Sequence, residues 1–329
     1  MAAATNMTLL TSTLHDPKGA LYDALDAASQ LVPSMYEGWV INVTPATDEG
    51  VQKMLKTREG IYLTKTEPAM HPGTTDAIEM DHLSALSHAH KLAKEQNFAT
   101  IQYTDGDRIA MAARHFPRDL ENMARRSSQT RRGMLHFPRD EEAFTSHHPA
   151  LMFTEEAIIH EYSRAFGMPI DPGSTAHTMT QEVVEEILNQ SPQMEPVSFP
   201  HPKWLIIARQ NEQPIETAES GRVLMYETPE QQRAKIEGLA GRPVGDYREL
   251  VSLAHSIYKI EETASPTEWS LRLRTQQQYL KLLDTHLGEI VLDPELREAQ
   301  HKDLERTVHA LDRDQEMVGG AWFGSARKK

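Results

Sequence analysis

The chain has 329 residues, with 34 Lys and Arg against 48 Asp and Glu, a formal charge of −14, and 39% hydrophobic residues. Such an acidic balance argues against gripping nucleic acid or an anionic membrane through a general positive field, while leaving room for a local pocket that takes a small anion. Cysteine is absent, which excludes disulfides and thiolate chemistry; no apolar run approaches the roughly 18 residues of a membrane helix, and residues 1–6 carry no signal-peptide pattern, so no membrane span and a cytoplasmic location are expected.

Residues 7–13 are β-branched and apolar and stop at Asp16-Pro17-Lys18-Gly19, the pattern of a strand ended by a turn. Leu21, Leu25 and Leu31, with Ala24, Ala27 and Ala28 between them, space a helix. Residues 38–44 read as a second strand stopped by Pro45. A short helix opens at Thr47-Asp48-Glu49-Gly50 and runs through Leu55, and residues 60–65 read as a third strand. A loop over 68–75 leads to a long helix whose Leu83, Leu86, Ala89, Leu92 and Ala93 recur at spacings of three and four. Residues 98–103 are a fourth strand, ending in Thr104-Asp105-Gly106-Asp107-Arg108.

Beyond this point the pattern is less regular. His-Phe-Pro-Arg-Asp occurs at 115–119 and again at 136–140, with no longer repeat around it. Pro117 opens a helix carrying Leu120, Met123 and Ala124, and residues 133–137 read as a strand. Thr154-Glu155-Glu156 reads as the cap of a helix ending at Phe166-Gly167. A helix over 180–188 and a strand over 203–209 follow. From 229 onward only helices are expected, over 229–239, 250–260, 271–287 and 296–311, with a tail from 319.

Alternating strands and helices predict an α/β domain over 1–240, a three-layer, mostly parallel, Rossmann-like sheet, and residues 241–329 form a C-terminal α-helical appendage and tail. The apolar stripes of the appendage need a cover, either the α/β domain or a second copy of the chain. Trp269, Tyr279 and Trp322 suit such contacts, and a homodimer is expected.

Ligands of open α/β sheets bind outside the carboxyl ends of the strands. Thr11-Ser12-Thr13, Lys65 and Asp105-Gly106-Asp107 all fall at such ends. Two carboxylates flanking a glycine can hold a hard divalent cation such as Mg²⁺ or Mn²⁺; the same tripeptide also suits a plain turn.

The block from the helix over 81–94, through the strand over 98–103, to Asp105-Gly106-Asp107 resembles the nucleotide-diphospho-sugar transferase superfamily, the GT-A glycosyltransferase fold. That resemblance spans residues 7–235 by order of elements and implies a GT-A-like sheet. It implies a glycosyltransferase that moves a sugar from a nucleoside-diphosphate sugar to an acceptor, dependent on Mg²⁺ or Mn²⁺. Asp105 would lie nearer the ribose, Asp105 and Asp107 would serve the metal, and Thr11, Ser12 and Thr13 would border the nucleoside. A late histidine often completes the metal shell in this family, and His177 and His201 are the candidates. Glu155 and Glu156 stand where acceptor-side or catalytic acids often lie; the other reading is a helix cap with dipole-favoured acids.

Lys65 and Arg108 are candidates to meet the diphosphate. The arginines at 114, 118, 125, 126, 131 and 132 fit either an anion contact or a solvated helix face. Asp81 or His82 could reach donor hydroxyls; acids at this helix start, Asp76 and Glu79 among them, equally suit the helix dipole. A nucleotidyltransferase is disfavoured because the loop after the first strand is poor in glycine. The remaining alternative is a non-catalytic binding or assembly protein retaining the GT-A-like fold.

Overall fold

The computed structural model describes residues 8–66, 77–147, 149–197, 199–226 and 266–287, together with 233–234, 237–238 and 241–243. In chain order the described residues give β1 (Thr8–Leu14), α1 (Tyr22–Leu31), β2 (Trp39–Val43), α2 (Glu49–Lys56), β3 (Ile61–Lys65), α3 (Ala77–Gln96), β4 (Thr100–Tyr103), α4 (Gly106–His115), α5 (Pro117–Ser127) and β5 (Met134–His136). Then follow α6 (Glu141–Thr145), α7 (Pro149–Phe166), β6 (His177–Thr180), α8 (Gln181–Gln190), α9 (His201–Gln210), β7 (Ile215–Thr217) and α10 (Pro266–Leu287). The chain divides into one unit of residues 1–144 and 168–226 and a second of residues 145–167 and 227–329.

The first unit is the expected three-layer α/β fold. Its seven strands run in the order β3-β2-β1-β4-β6-β5-β7. β1 pairs in parallel with β2 and β4, β2 with β3, and β5 with β7, while β6 runs antiparallel to both β4 and β5. β2 and β4 are buried throughout, as strands covered on both faces must be.

The side-chain alternation of a strand sorts β1 between two layers. Leu10 and Leu14 join one cluster with Leu25 of α1, Leu55 of α2, Ile109 of α4 and Leu120 of α5. Thr11 points the other way, and its hydroxyl donates to the Ala85 carbonyl of α3 at 3.1 Å. On that second face Glu79 of α3 and Lys203 of α9, both almost fully buried, pair at 2.5 Å.

Three expectations are corrected. Residues 203–209 are not a strand but most of α9. Every residue from His201 to Ala208 is buried, so no polar face marks the helical period, and a short apolar run cannot be told from a strand by pattern alone. Thr154-Glu155-Glu156 does not cap a helix, because α7 already begins at Pro149; Thr154 instead donates back to the Leu151 carbonyl at 3.2 Å. The predicted stop at Gly167 holds, with φ of +70°. The plain-turn reading of Asp105-Gly106-Asp107 is replaced by a helix start, since Asp105, just past the end of β4, is the N-cap of α4, which starts at Gly106; α4 and the short strands β6 and β7 went unread in the sequence.

In the second unit, α7 and α10 pack together, and the Tyr162 hydroxyl donates to the Tyr279 carbonyl at 2.9 Å. This pairing places residues 149–166 with α10. The loop over 68–75, Asp76, the helices over 250–260 and 296–311, Trp322 and the tail lie outside the described residues, and the helix over 229–239 lies largely outside them. Among the described residues no helix is long and apolar enough to cross a membrane.

Candidate functional site

From β1 the sheet grows one way through β2 and β3 and the other way from β4 onward. The carboxyl ends of β1 and β4 therefore form the switch point at which open α/β sheets bind ligands. A cavity of about 380 Å³ opens there. It is lined by Thr13, Leu14 and His15 after β1, Thr44 after β2, Ile78, Asp81 and His82 of α3, Asp105 and Asp107 around the start of α4, and Phe199. Among these described lining residues there are three carboxylates and neither Lys nor Arg.

Gly106 is explained by the approach of α4 to β1. A Cβ there would lie 2.9 Å from the Thr13 carbonyl oxygen, so only glycine lets the helix start against the strand end. Asp105, at the N-cap, makes no capping hydrogen bond with its side chain. Its Oδ1 instead accepts from the Tyr103 hydroxyl at 2.9 Å and lies 3.7 Å from His82 Nε2. The Tyr103 oxygen is also 2.9 Å from Thr13 Oγ1; with its own proton given to Asp105, it accepts from Thr13. Burial, then the neighbouring Asp107 charge, pushes the Asp105 carboxyl up to about 7, against the opposing pull of Arg108 and Tyr103. The Tyr103 hydroxyl is held well above its ordinary value, first by burial and then by Asp105.

His82 Nδ1 lies 2.7 Å from the Ile78 carbonyl. A carbonyl only accepts, so Nδ1 carries the proton, and in the neutral ring Nε2 presents its lone pair toward Asp105. His201 of α9 completes the group. One ring nitrogen from each histidine and one oxygen of Asp105 lie within 4.8 Å of one another. His201 is fully buried, and among the described residues neither of its ring nitrogens has a hydrogen-bond partner. A buried unpartnered polar group costs about 1–3 kcal/mol, and one His201 nitrogen stands beside a carboxylate oxygen and a second imidazole nitrogen, an arrangement that fits a cation site. Imidazole and carboxylate are both competent ligands for a divalent metal.

His201 is boxed by aromatic rings, with Trp204 edge-on at 4.7 Å between centroids and His177 stacked at 5.3 Å. His177 in turn stacks on His136 at 5.0 Å. Their tautomers follow from their partners. The Asp171 amide donates to His136 Nε2 at 3.1 Å, so His136 Nδ1 carries the proton and gives it to His177 Nδ1 at 3.3 Å. His177 then donates from Nε2 to the Ser174 carbonyl at 3.2 Å. Burial holds His136 down to about 4 and keeps His177 and His201 well below their ordinary values, so all three are neutral at pH 7.

Thr13, Asp81, Asp105 and Asp107 of the expected site residues come together at the cavity, and of the two candidate histidines His201 joins Asp105. His177 sits behind His201, its Nδ1 and Nε2 engaged with His136 and Ser174. Thr11 and Ser12 turn inward, Ser12 accepting from Trp39 Nε1 at 2.9 Å. Asp81 accepts from the Thr66 hydroxyl. Asp107 accepts from the Arg108 amide at 2.8 Å and lies 3.7 Å from its guanidinium. Arg108 donates to the Met225 carbonyl at 3.1 Å and lies 4.8 Å from the Tyr226 ring centre, and the exposed Lys65 stands outside the cavity lining. Glu155 and Glu156 belong to the second unit. Tyr103, His15, Thr44 and Phe199 were missed as site residues, since none carries a local pattern that sets it apart. The one available signal was Tyr103 standing two residues before Asp105.

No family model matches the sequence, and no curated protein matches it. Solved structures do. Glucosyl-3-phosphoglycerate synthase from Mycobacterium tuberculosis, in complex with uridine diphosphate, is 11% identical, with 75% of this chain and 79% of that chain covered and a TM-score of 0.45. A second structure of the same protein covers 87% of this chain and 82% of that chain at 10% identity and a TM-score of 0.45. A third, with Mn²⁺, uridine diphosphate and phosphoglyceric acid, is 10% identical over 73% of this chain and 80% of that chain, with a TM-score of 0.42. The fold described above stands on the strand order and pairing of the chain itself.

Proposed function

We propose that the chain is a glycosyltransferase that takes its sugar from a nucleoside-diphosphate donor bound at the carboxyl ends of β1 and β4. One observation carries the reading. The cavity at the switch point is lined by Asp81, Asp105 and Asp107 without Lys or Arg among the described residues, beside the buried and unpartnered nitrogens of His201. A diphosphate would be repelled from three carboxylates unless a cation stood between them. His82, Asp105 and His201 would hold that cation. When bound, it supplies charge neutralisation to the departing nucleoside diphosphate while an acceptor hydroxyl attacks the anomeric carbon.

The chain's own groups do the positioning. Tyr103 orients the Asp105 carboxylate, and Thr13 fixes the Tyr103 hydroxyl. His15 and Thr44, bonded to each other at 2.9 Å, and Asp81 offer polar groups to sugar or ribose hydroxyls around the rim.

Melting temperature measured with a panel of nucleoside-diphosphate sugars, each with and without Mn²⁺, tests this. A true donor raises it only when metal is present, and at about a hundred times its dissociation constant adds about 2.7 kcal/mol of stability. A panel without any metal-dependent shift overturns the reading. The placement of Lys65 and Arg108 outside the cavity lining favours a second reading, a binding protein that holds the donor without transferring it. Metal-dependent donor binding without release of nucleoside diphosphate in the presence of candidate acceptors selects that reading.

A further inference from the structure

The chemistry of the His82, Asp105 and His201 cluster differs from what the hard cation expected at an Asp-X-Asp motif calls for. In that expectation two carboxylates, completed by one late histidine, hold Mg²⁺ or Mn²⁺. Here Asp107 Oδ1 accepts from the Arg108 amide at 2.8 Å, and Oδ2 lies 3.7 Å from the Arg108 guanidinium. The grouping of ligand atoms found among the described residues joins Asp105 to two imidazoles.

Each histidine is set as a nitrogen ligand by something other than Asp105. His82 carries its proton on Nδ1 because that atom faces the Ile78 carbonyl at 2.7 Å. A backbone carbonyl bonded to the remote ring nitrogen is the arrangement that aims the other nitrogen at a metal. His201 is held by packing, wedged between Trp204 and His177, with both nitrogens unpartnered among the described residues. His82 Nε2 and the Asp105 oxygen lie 3.7 Å apart, close enough for one ion to meet both.

We infer that His82, Asp105 and His201 form a two-nitrogen, one-oxygen site selective for a late first-row divalent ion, of the Co²⁺, Ni²⁺ or Zn²⁺ class, over Mg²⁺. Imidazole favours these ions, whereas Mg²⁺ prefers oxygen ligands and gives up its water reluctantly. His82 is the discriminating ligand, because it replaces the second carboxylate that would suit Mg²⁺. The inference rests on the cation site of the transfer reading, yet metal capture without any sugar nucleotide tests it separately.

The test is a titration of the full chain, stripped of metal by chelator and dialysed, with Co²⁺ followed by its visible absorption and with Mg²⁺ and Co²⁺ by calorimetry. One Co²⁺ per chain is expected, bound at least about tenfold more tightly than Mg²⁺. His82→Asp should narrow or reverse that ratio, and Asp105→Asn should abolish Co²⁺ binding with unchanged circular dichroism. His201→Gln should do the same; if it fails to fold, the wild-type ratio and the other two variants decide. Mg²⁺ bound as tightly as Co²⁺, Co²⁺ binding that survives Asp105→Asn, or no metal bound by the folded chain each overturns the inference. If Mg²⁺ alone supports donor binding, the selectivity fails while the transfer reading stands. If Co²⁺ binds as expected and no sugar nucleotide does, the transfer reading fails by itself.

Discussion

The Tyr103 hydroxyl donates to Asp105 Oδ1 at 2.9 Å, so the last residue of β4 fixes the carboxylate at the N-cap of α4. The bond reaches from inside the sheet to the cavity at the strand ends. Tyr103→Phe removes it while keeping the ring that packs on His82 and Trp204. Loss of one buried hydrogen bond should lower stability by about 1–2 kcal/mol. It should also weaken metal affinity about tenfold, as loss of a partner to a metal-ligating group does. Denaturant unfolding and a Co²⁺ titration measure the two effects, and unchanged affinity would show that Tyr103 does not position Asp105.

The two acids of the Asp-X-Asp motif should behave unequally. Asp105→Asn should eliminate metal-dependent donor binding. Asp107→Asn should weaken it by less than about tenfold, because its charge acts through solvent from a side chain 41% exposed. Calorimetry of donor into both variants with Co²⁺ present checks this, and the reverse ranking would return the metal to Asp107.

Gly106→Ala sets two effects against each other. In an ordinary helix the change would stabilise by about 1 kcal/mol. Here the new Cβ meets the Thr13 carbonyl at 2.9 Å, and overpacking against backbone costs about 1–3 kcal/mol. A net loss of stability is expected in urea unfolding, with weaker metal binding because Asp105 must shift with the helix start. A stabilised variant would contradict the close approach.

Lys203 and Glu79 form a buried pair. Burial raises the Glu79 carboxyl, and Lys203 opposes that rise. Lys203→Met leaves Glu79 buried without its cation and should cost about 3–5 kcal/mol, whereas Lys203→Met with Glu79→Gln should recover most of the loss. A double-mutant cycle by chemical denaturation reads the coupling; additive losses would mean that the pair contributes nothing as a unit.

Acid should destabilise the fold through His136. Its folded value of about 4 lies below the ordinary value of 6.5, so the unfolded chain takes up the proton first. The stability it contributes is whole above pH 6.5 and is lost as pH falls toward 4, on the order of 3 kcal/mol by pH 4. His136→Phe should melt lower at pH 7, since the Asp171 amide loses its acceptor, but with a shallower pH slope. An unchanged slope would assign the acid sensitivity elsewhere.

The first four strands were legible because each is a β-branched or apolar run closed by a turn or a proline, and parallel strands joined by helices leave few topologies. The place of Asp105 at the end of β4 was legible for the same reason. α9 was misread because a helix buried on all sides carries no period, although Pro202 at its start was a usable sign. α4 was missed because the tripeptide before it satisfies turn, cap and metal patterns alike.

The sequence by itself determined the alternation of strands and helices, the acidic surface, the absence of thiol chemistry, and the carboxylates at the strand ends, since each is a local property of composition or spacing. Only the tertiary structure decided which groups meet. Asp105 finds His82 of α3 and His201 of α9, while Asp107 turns to Arg108, and Lys65 and Arg108 stand outside the cavity lining. Such meetings depend on how helices from distant parts of the chain cross the sheet, and on which face each side chain of a strand must take, and no local pattern of residues encodes either.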